Sequence, residues 1–213
     1  MGRLSPLTLP QAKALMNDQS ARMVPMVQQT GVFSPEECER IISLRDQLGV
    51  DQARIESRSQ QAGRSLKRDV DRSVRDTERT HLMHSPTTDW IYQRLSDAVT
   101  QANTQAWNFR LAFMEPPQLL GYPVGGHYGW HADIGASGLM ALRKVSVTIQ
   151  LSPSEDYVGG ELEIQSGGRV LKPHRPRGSA VLFPSYQPHR VAPVTRGKRY
   201  SIVLWVVGKR PLR

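Results

Sequence analysis

Beginning at Phe109, apolar residues stop recurring at helical spacing and start to alternate in short runs closed by Gly, Pro and Ser. The runs RLAFM, KVSVTIQLS, GELEIQ, RVLKPH, SAVLF, HRVAPV and RYSIVLWVV are β-branched or alternating and read as strands. Upstream, VPMVQQ offers a short strand, and SPEECERIISLRDQL a helix with a sharp start. Ser34 is its N-cap, Pro35 takes the first helical position and Glu37 closes a capping box. Cys38, Ile41, Ile42 and Leu48 recur on one face of it, which makes Cys38 a core residue. A second helix runs from about Thr88, with Ile91, Leu95, Ala98, Val99, Ala102 and Ala106 as its apolar stripe and Trp90 and Trp107 packed at its ends. Helices followed by many short strands predict a mainly β, α+β architecture: a sandwich or jelly roll buttressed by helices on one side.

A chain of 213 residues that is 38% hydrophobic supports one well-buried core. Residues 1–24 form a Pro-punctuated lead-in. The single domain spans 25–213, with helical support over about 25–108 and the jelly-roll core over about 109–208. Residues 51–80 are rich in charge, Gln and Ser, and are expected to be a mobile excursion that serves as a lid. Cys38 is the only cysteine, so no intrachain disulfide forms. MGRLSP is neither a signal peptide nor a myristoylation site, and no apolar run reaches bilayer length. These features predict a soluble cytoplasmic protein with no membrane partner. The net charge of +9 suits a polyanionic partner, but the basic residues are dispersed from Arg3 to Arg213 and interleaved with acids, which reads as a solvated surface rather than a nucleic-acid patch.

Period 2 also separates the two faces of each strand. In KVSVTIQLS, Val145, Val147, Ile149 and Leu151 share one face, and Ser146, Thr148 and Gln150 the other. In RYSIVLW, Arg199, Ser201, Val203 and Trp205 lie opposite Tyr200, Ile202 and Leu204. An Arg and a Ser on one face of a core strand suggest a cavity that holds an anion. GYPVGGHYGWHAD is too rich in glycine for a helix, which removes the zinc-protease reading of His127 and His131. His131 and Asp133, two apart, project to one side of an extended segment. With one distant histidine they would make the two-histidine, one-carboxylate triad that leaves open positions on Fe(II). The third ligand comes from His81, His84, His127, His174 or His189. His174, between Lys172 and Arg175, reads as exposed, and His81 and His84 lie in or near the mobile segment. His189 opens a strand, and Arg199 opens the next, so that a hairpin would bring the two together.

HYGWHAD followed by PHRVAPVTRGKRYSIVLW resembles the Fe(II)- and 2-oxoglutarate-dependent dioxygenases of the prolyl 4-hydroxylase type, and QLLGYPVGGHY and DYVGGELEI extend the resemblance over about residues 25–208. The resemblance implies a double-stranded β-helix, with iron held by His131, Asp133 and His189 and the distal carboxylate of 2-oxoglutarate held by Arg199. It also implies co-substrate contacts from Tyr122 and Tyr128. Gln150 falls where some animal members carry a tyrosine that touches the co-substrate, and its amide could still donate a hydrogen bond. Trp205 resembles the tryptophan lining the same pocket, and Ser201 could add a second donor. The implied cofactors are Fe(II), 2-oxoglutarate and O2, with ascorbate as a reductant. The implied reaction is C–H hydroxylation coupled to decarboxylation to succinate, at proline in a peptide or protein. The alternatives are a hydroxylase of a small molecule or free amino acid, a nucleic-acid demethylase and a non-enzymatic jelly-roll binding module. Trp205 stands where demethylases usually carry a second Arg, six residues after the first.

Overall fold

The capping box at Ser34 forms as the residues dictate. Ser34 Oγ accepts from the Glu37 amide at 3.2 Å, and a Glu37 carboxylate oxygen accepts from the Ser34 amide at 2.8 Å. The structure, a computed structural model, describes residues 9–10, 13, 23–52, 55–56, 68–69 and 74–211. In chain order the elements are β1 (Val27–Gln29), α1 (Pro35–Leu48), β2 (Asp51–Gln52), β3 (Ile55–Glu56), β4 (Arg68–Asp69), β5 (Arg75–Asp76), β6 (Glu78–His81) and α2 (Asp89–Ala106). They continue with β7 (Leu111–Met114), β8 (Gln118–Tyr122), β9 (His127–His131), a 3-10 turn (Leu139–Leu142), β10 (Arg143–Gln150), β11 (Tyr157–Gly159), β12 (Leu162–Ser166) and β13 (Arg169–Leu171). The last are β14 (Ala180–Pro184), β15 (His189–Val191), β16 (Val194–Gly197) and β17 (Arg199–Gly208).

The major sheet runs β1-β14-β10-β17-β8-β6-β2, with β7 also paired to β17, and the minor sheet runs β13-β12-β15-β9-β5. This is the double-stranded β-helix with helical support on one side. The alternation read from the sequence holds on both central strands. Val145, Val147 and Ile149 of β10, Leu151 just beyond it, and Ile202 and Leu204 of β17 pack with Cys38, Ile41 and Leu44 of α1 and Ile91, Leu95, Val99 and Ala102 of α2. The opposite face of the same sheet meets the minor sheet through a second cluster that includes Leu120, Tyr122, Leu162, Ile164, Phe183 and Val191. Trp90 meets Phe33 edge-on at 5.8 Å, and Trp107 stacks on Phe109, so both do pack at the ends of α2. Among the described residues no helix is long and apolar enough to cross a membrane.

Three expectations need correction. Leu48 is half exposed and Leu44 takes its place in the core, because α1 ends at Leu48. The excursion expected over 51–80 is in part ordered sheet: β5 pairs with β9 and β6 with β8, and Arg75, Thr77 and Thr80 are buried. Polar composition misleads there because these strands bury threonines and an arginine rather than large apolar groups. Most of that segment, its role as a lid and most of residues 1–24 lie outside the described residues. Finally, His189 and Arg199 are not on one hairpin. β15 joins β9 and β12 in the minor sheet, β17 joins β10 and β8 in the major sheet, and the two residues approach the interior from facing layers.

Close approach of the chain to α1 depends on Gly178, whose φ is +74° and where an added Cβ would stand 1.9 Å from the Phe33 carbonyl oxygen. Gly178→Ala is expected to destabilise the fold by about 2–4 kcal/mol, combining strain with overpacking. Ser34→Ala is expected to cost only about 1 kcal/mol. Urea unfolding of both variants checks this order, and a smaller loss for Gly178→Ala would contradict it.

Candidate active site

His131 is the last residue of β9 and His189 the first of β15, and the two are direct partners in the register of the minor sheet. Asp133 follows two residues after His131, and its amide donates to the Ser185 carbonyl at 3.0 Å, which turns the chain so that its carboxylate faces both rings. His131 Nε2 lies 3.5 Å from Asp133 Oδ1, and His189 Nε2 lies 3.4 Å from Oδ2. The ligand atoms of all three residues lie within 4.8 Å of one another, with Asp133 and His189 buried.

The hydrogen bonds fix which ring nitrogens face inward. His131 Nδ1 lies 2.8 Å from the Gly129 carbonyl oxygen and His189 Nδ1 lies 3.0 Å from that of Gln187. A carbonyl only accepts, so each Nδ1 carries the proton and each Nε2 presents a lone pair to the centre. Burial would raise the Asp133 carboxyl, but the His189 and His131 rings and the Ser146 hydroxyl outweigh it and hold the group well below the usual range. Burial pushes His189 down. The cluster therefore combines two imidazoles, each with Nε2 turned inward, and a carboxylate, the donor set of a first-row divalent metal with open positions. These residues fit the iron implied by the sequence resemblance.

Support for the triad comes from residues that sequence reasoning did not single out. Ser146 Oγ donates to Asp133 Oδ2 at 2.6 Å and lies 3.1 Å from Ser185 Oγ. Arg143 donates to the Asp133 carbonyl, forms a two-pronged pair with Glu115 and stacks 3.8 Å over the Trp205 ring. Ser146 was legible as part of a polar face. Arg143, at the mouth of the same strand, had no such signal. Arg75 was hidden in the segment expected to be mobile. It is 6% exposed, donates to Thr77 Oγ1 at 3.0 Å and lies 4.6 Å over the Tyr128 ring.

A small cavity of about 30 Å³ fronts the triad, and Arg75, Tyr122, Tyr128, Thr148, Val203 and Trp205 are among its walls. Tyr128 stacks on His131 with ring centroids 3.6 Å apart, and burial pushes its hydroxyl pKa up. Arg199 is 3% exposed. Its Nε donates to Gln150 Oε1 at 3.2 Å, its Nη1 to Ser201 Oγ at 3.3 Å, and it lies 5.2 Å over the Tyr122 ring. The Gln150 amide is thus differently employed from the expectation. Its NH2 group donates to the Ser152 carbonyl at 2.8 Å, and its oxygen faces Arg199 rather than offering a donor to a ligand. Of the other candidate histidines, His84 pairs with Asp89, His127 Nδ1 bonds the Gly125 carbonyl, and His81 and His174 are exposed.

Residues 117–207 match the family model described as the 2OG-Fe(II) oxygenase superfamily. A PKHD-type hydroxylase of Alteromonas mediterranea is 40% identical over 96 residues, covering 43% of this chain and 42% of the relative. One of Sphingopyxis alaskensis is 36% identical over 122 residues, covering 54% and 56%. The chain thus spans about half the length of the curated relatives it matches. Among solved structures, a Pseudomonas putida prolyl-4-hydroxylase superposes with TM-score 0.65 at 20% identity, covering 92% of this chain and 98% of that one. A Trichoplax adhaerens prolyl hydroxylase, solved with a hypoxia-inducible-factor peptide fragment, gives 0.69 at 18%, covering 87% and 84%. Motifs, fold and matched segment agree on a resemblance to 2OG-Fe(II) oxygenases of the prolyl 4-hydroxylase type.

If Ser146 orients the carboxylate, Ser146→Ala should weaken Mn(II) binding by about 10–100-fold, the usual effect of removing an outer partner of a metal ligand. Calorimetric titration checks the affinity and a thermal melt checks the fold. Unchanged affinity would mean that Asp133 is held without Ser146.

Proposed function

We propose that this chain is an Fe(II)- and 2-oxoglutarate-dependent dioxygenase that hydroxylates a C–H bond, with proline in a peptide or protein as its substrate. The observation that carries the reading is the convergence of two imidazoles and a carboxylate on one sheet with a buried guanidinium that faces the same interior from the other. A non-enzymatic jelly roll has no need for either.

In this reading His131, Asp133 and His189 hold the metal, and Arg199 takes the far carboxylate of 2-oxoglutarate through a charge-assisted pair. Bound there, Fe(II), 2-oxoglutarate and O2 would supply oxidative decarboxylation to succinate and CO2, with the second oxygen atom entering the substrate C–H bond; ascorbate would serve as reductant. Ser146 keeps the carboxylate turned toward the rings, and Gln150 and Ser201 aim the guanidinium. Tyr122 forms the floor under Arg199, while Tyr128 and Trp205 line the space before the triad and exclude water.

Two features support an extended peptide. Arg75 places donors beside Tyr128 in the wall of the inner cavity, where a backbone carbonyl could be held, and the similar Trichoplax adhaerens enzyme was solved with a peptide. Cys38, buried and unpaired, supports a reducing compartment such as the cytoplasm.

The purified protein is expected to convert 2-oxoglutarate to succinate only with Fe(II), and His131→Ala or His189→Ala should abolish this while leaving the fold intact. Full turnover in His189→Ala would sink the triad assignment. Arg199→Ala is expected to raise the KM for 2-oxoglutarate by about thirty- to a hundredfold, with Fe(II) binding little changed, because one charged hydrogen-bond pair is lost. The substrate class is tested by incubating the enzyme with proline-containing peptides, free proline and methylated oligonucleotides, and measuring succinate together with a product gaining one oxygen atom. Coupling to free amino acids alone would remove the peptide reading and leave the oxygenase.

A further inference from the structure

The interior face of the major sheet descends from the triad in rows set by register. Ser146, beside Asp133, lies opposite Phe183 and Trp205; Thr148 lies opposite Val181 and Val203; Gln150 lies opposite Ser201; Arg199 lies opposite Tyr122. A 2-oxo diacid held at the triad would run down these rows toward Arg199. Thr148 and Leu162 wall both the small cavity at the triad and a second, larger one of about 210 Å³. The larger cavity continues past Gln150 and Arg199 to Gly160, Glu161 and Pro173–Arg175.

Its size has a specific cause. Both ends of the Gln150 amide are engaged, with Ser152 and Arg199, so the side chain is held to its own strand neighbours and to the arginine instead of crossing the pocket. Gly160, with φ +65°, supplies no side chain, and a Cβ there would stand 2.9 Å from Arg199 Cδ. The walls also suit an anion. Arg199 and Arg175 contribute two guanidiniums, and the single wall carboxylate, Glu161, lies 3.4 Å from Arg175 Nη1, which also donates to the Gly159 carbonyl at 2.6 Å.

We propose that this pocket accepts 2-oxo diacids longer than 2-oxoglutarate, the 2-oxoadipate class, because Gln150 is held against Ser152 and Arg199 and leaves the space beyond the anchor open. The inference rests on the co-substrate reading above. A closed apolar pocket discriminates one methylene by about 10–200-fold, whereas a pocket open beyond its anchor does not exclude it. In turnover, 2-oxoadipate, O2 and substrate R–H would give glutarate, CO2 and R–OH. The ketone-bearing carbon is oxidised to the glutarate carboxyl, and one oxygen atom enters each organic product.

The test is anaerobic calorimetry of the protein loaded with Mn(II), titrated with 2-oxoglutarate and with 2-oxoadipate, for the native chain and for Gln150→Tyr, which places a ring across the cavity. The expected result is that 2-oxoadipate binds the native protein less than about tenfold more weakly than 2-oxoglutarate, and that Gln150→Tyr moves the ratio of the two affinities by more than about tenfold against the longer acid. A variant that merely loosens the fold loses both acids alike and leaves the ratio unchanged. An unchanged ratio, or a native preference for 2-oxoglutarate beyond about tenfold, overturns the proposal while the co-substrate reading stands. Binding of neither acid removes that reading and this inference with it.

Discussion

A buried carboxylate is the constraint on which the rest of this structure turns. Asp133 is 6% exposed, and taking such a group out of water costs several kcal/mol unless partners compensate. The two neighbouring imidazoles face the carboxylate with their Nε2 atoms and contribute the largest part of the compensation. The Ser146 hydroxyl adds a hydrogen bond to the carboxylate, and the Arg143 guanidinium holds the Asp133 backbone carbonyl. A divalent cation would complete the compensation. The fold thus keeps an expensive anion at its centre in an arrangement that favours a metal-loaded state.

Which face of each strand does what was legible because the side-chain period of a strand leaves no freedom. Once KVSVTIQLS is a strand, Ser146, Thr148 and Gln150 share a side whatever the fold. Since the apolar side packs on α1 and α2, the polar side faces the interior between the sheets. The same rule put Arg199, Ser201, Val203 and Trp205 together. His131 and Asp133 were legible as a pair because two residues in extended chain project to one side.

Pairing was not legible, because alternation does not say which strand lies beside which. His189 and Arg199 read as neighbours on a hairpin, and they stand on facing layers. Arg75 and Thr77 went unnoticed for a related reason. A strand that buries an arginine against a tyrosine ring, and threonines against backbone, carries no apolar signal, so β5 and β6 resembled the charged sequence before them. Gln150 was placed on the correct face, but the direction of its amide depended on Ser152 and Arg199, contacts that form only when β10 and β17 pair.

The separation onto two layers has a mechanical consequence. Both histidines belong to the minor sheet and Arg199 to the major one, so no single strand fixes the distance between metal ligands and anchor. The packing between the layers bears on it, where Leu162 and Val191 share a buried cluster with Leu120 and Phe183. Close-packed interiors resist small displacements, which holds the two ends of the pocket at a constant spacing. Arg143 ties the layers at one further point: it leaves β10, reaches back to the Asp133 backbone and covers the Trp205 ring of β17. The residues that position the chemistry are therefore largely apolar side chains with no chemistry of their own. A charge-neutral substitution between the sheets would change ligand and anchor geometry together, whereas one on the helix face of β10 would change stability alone.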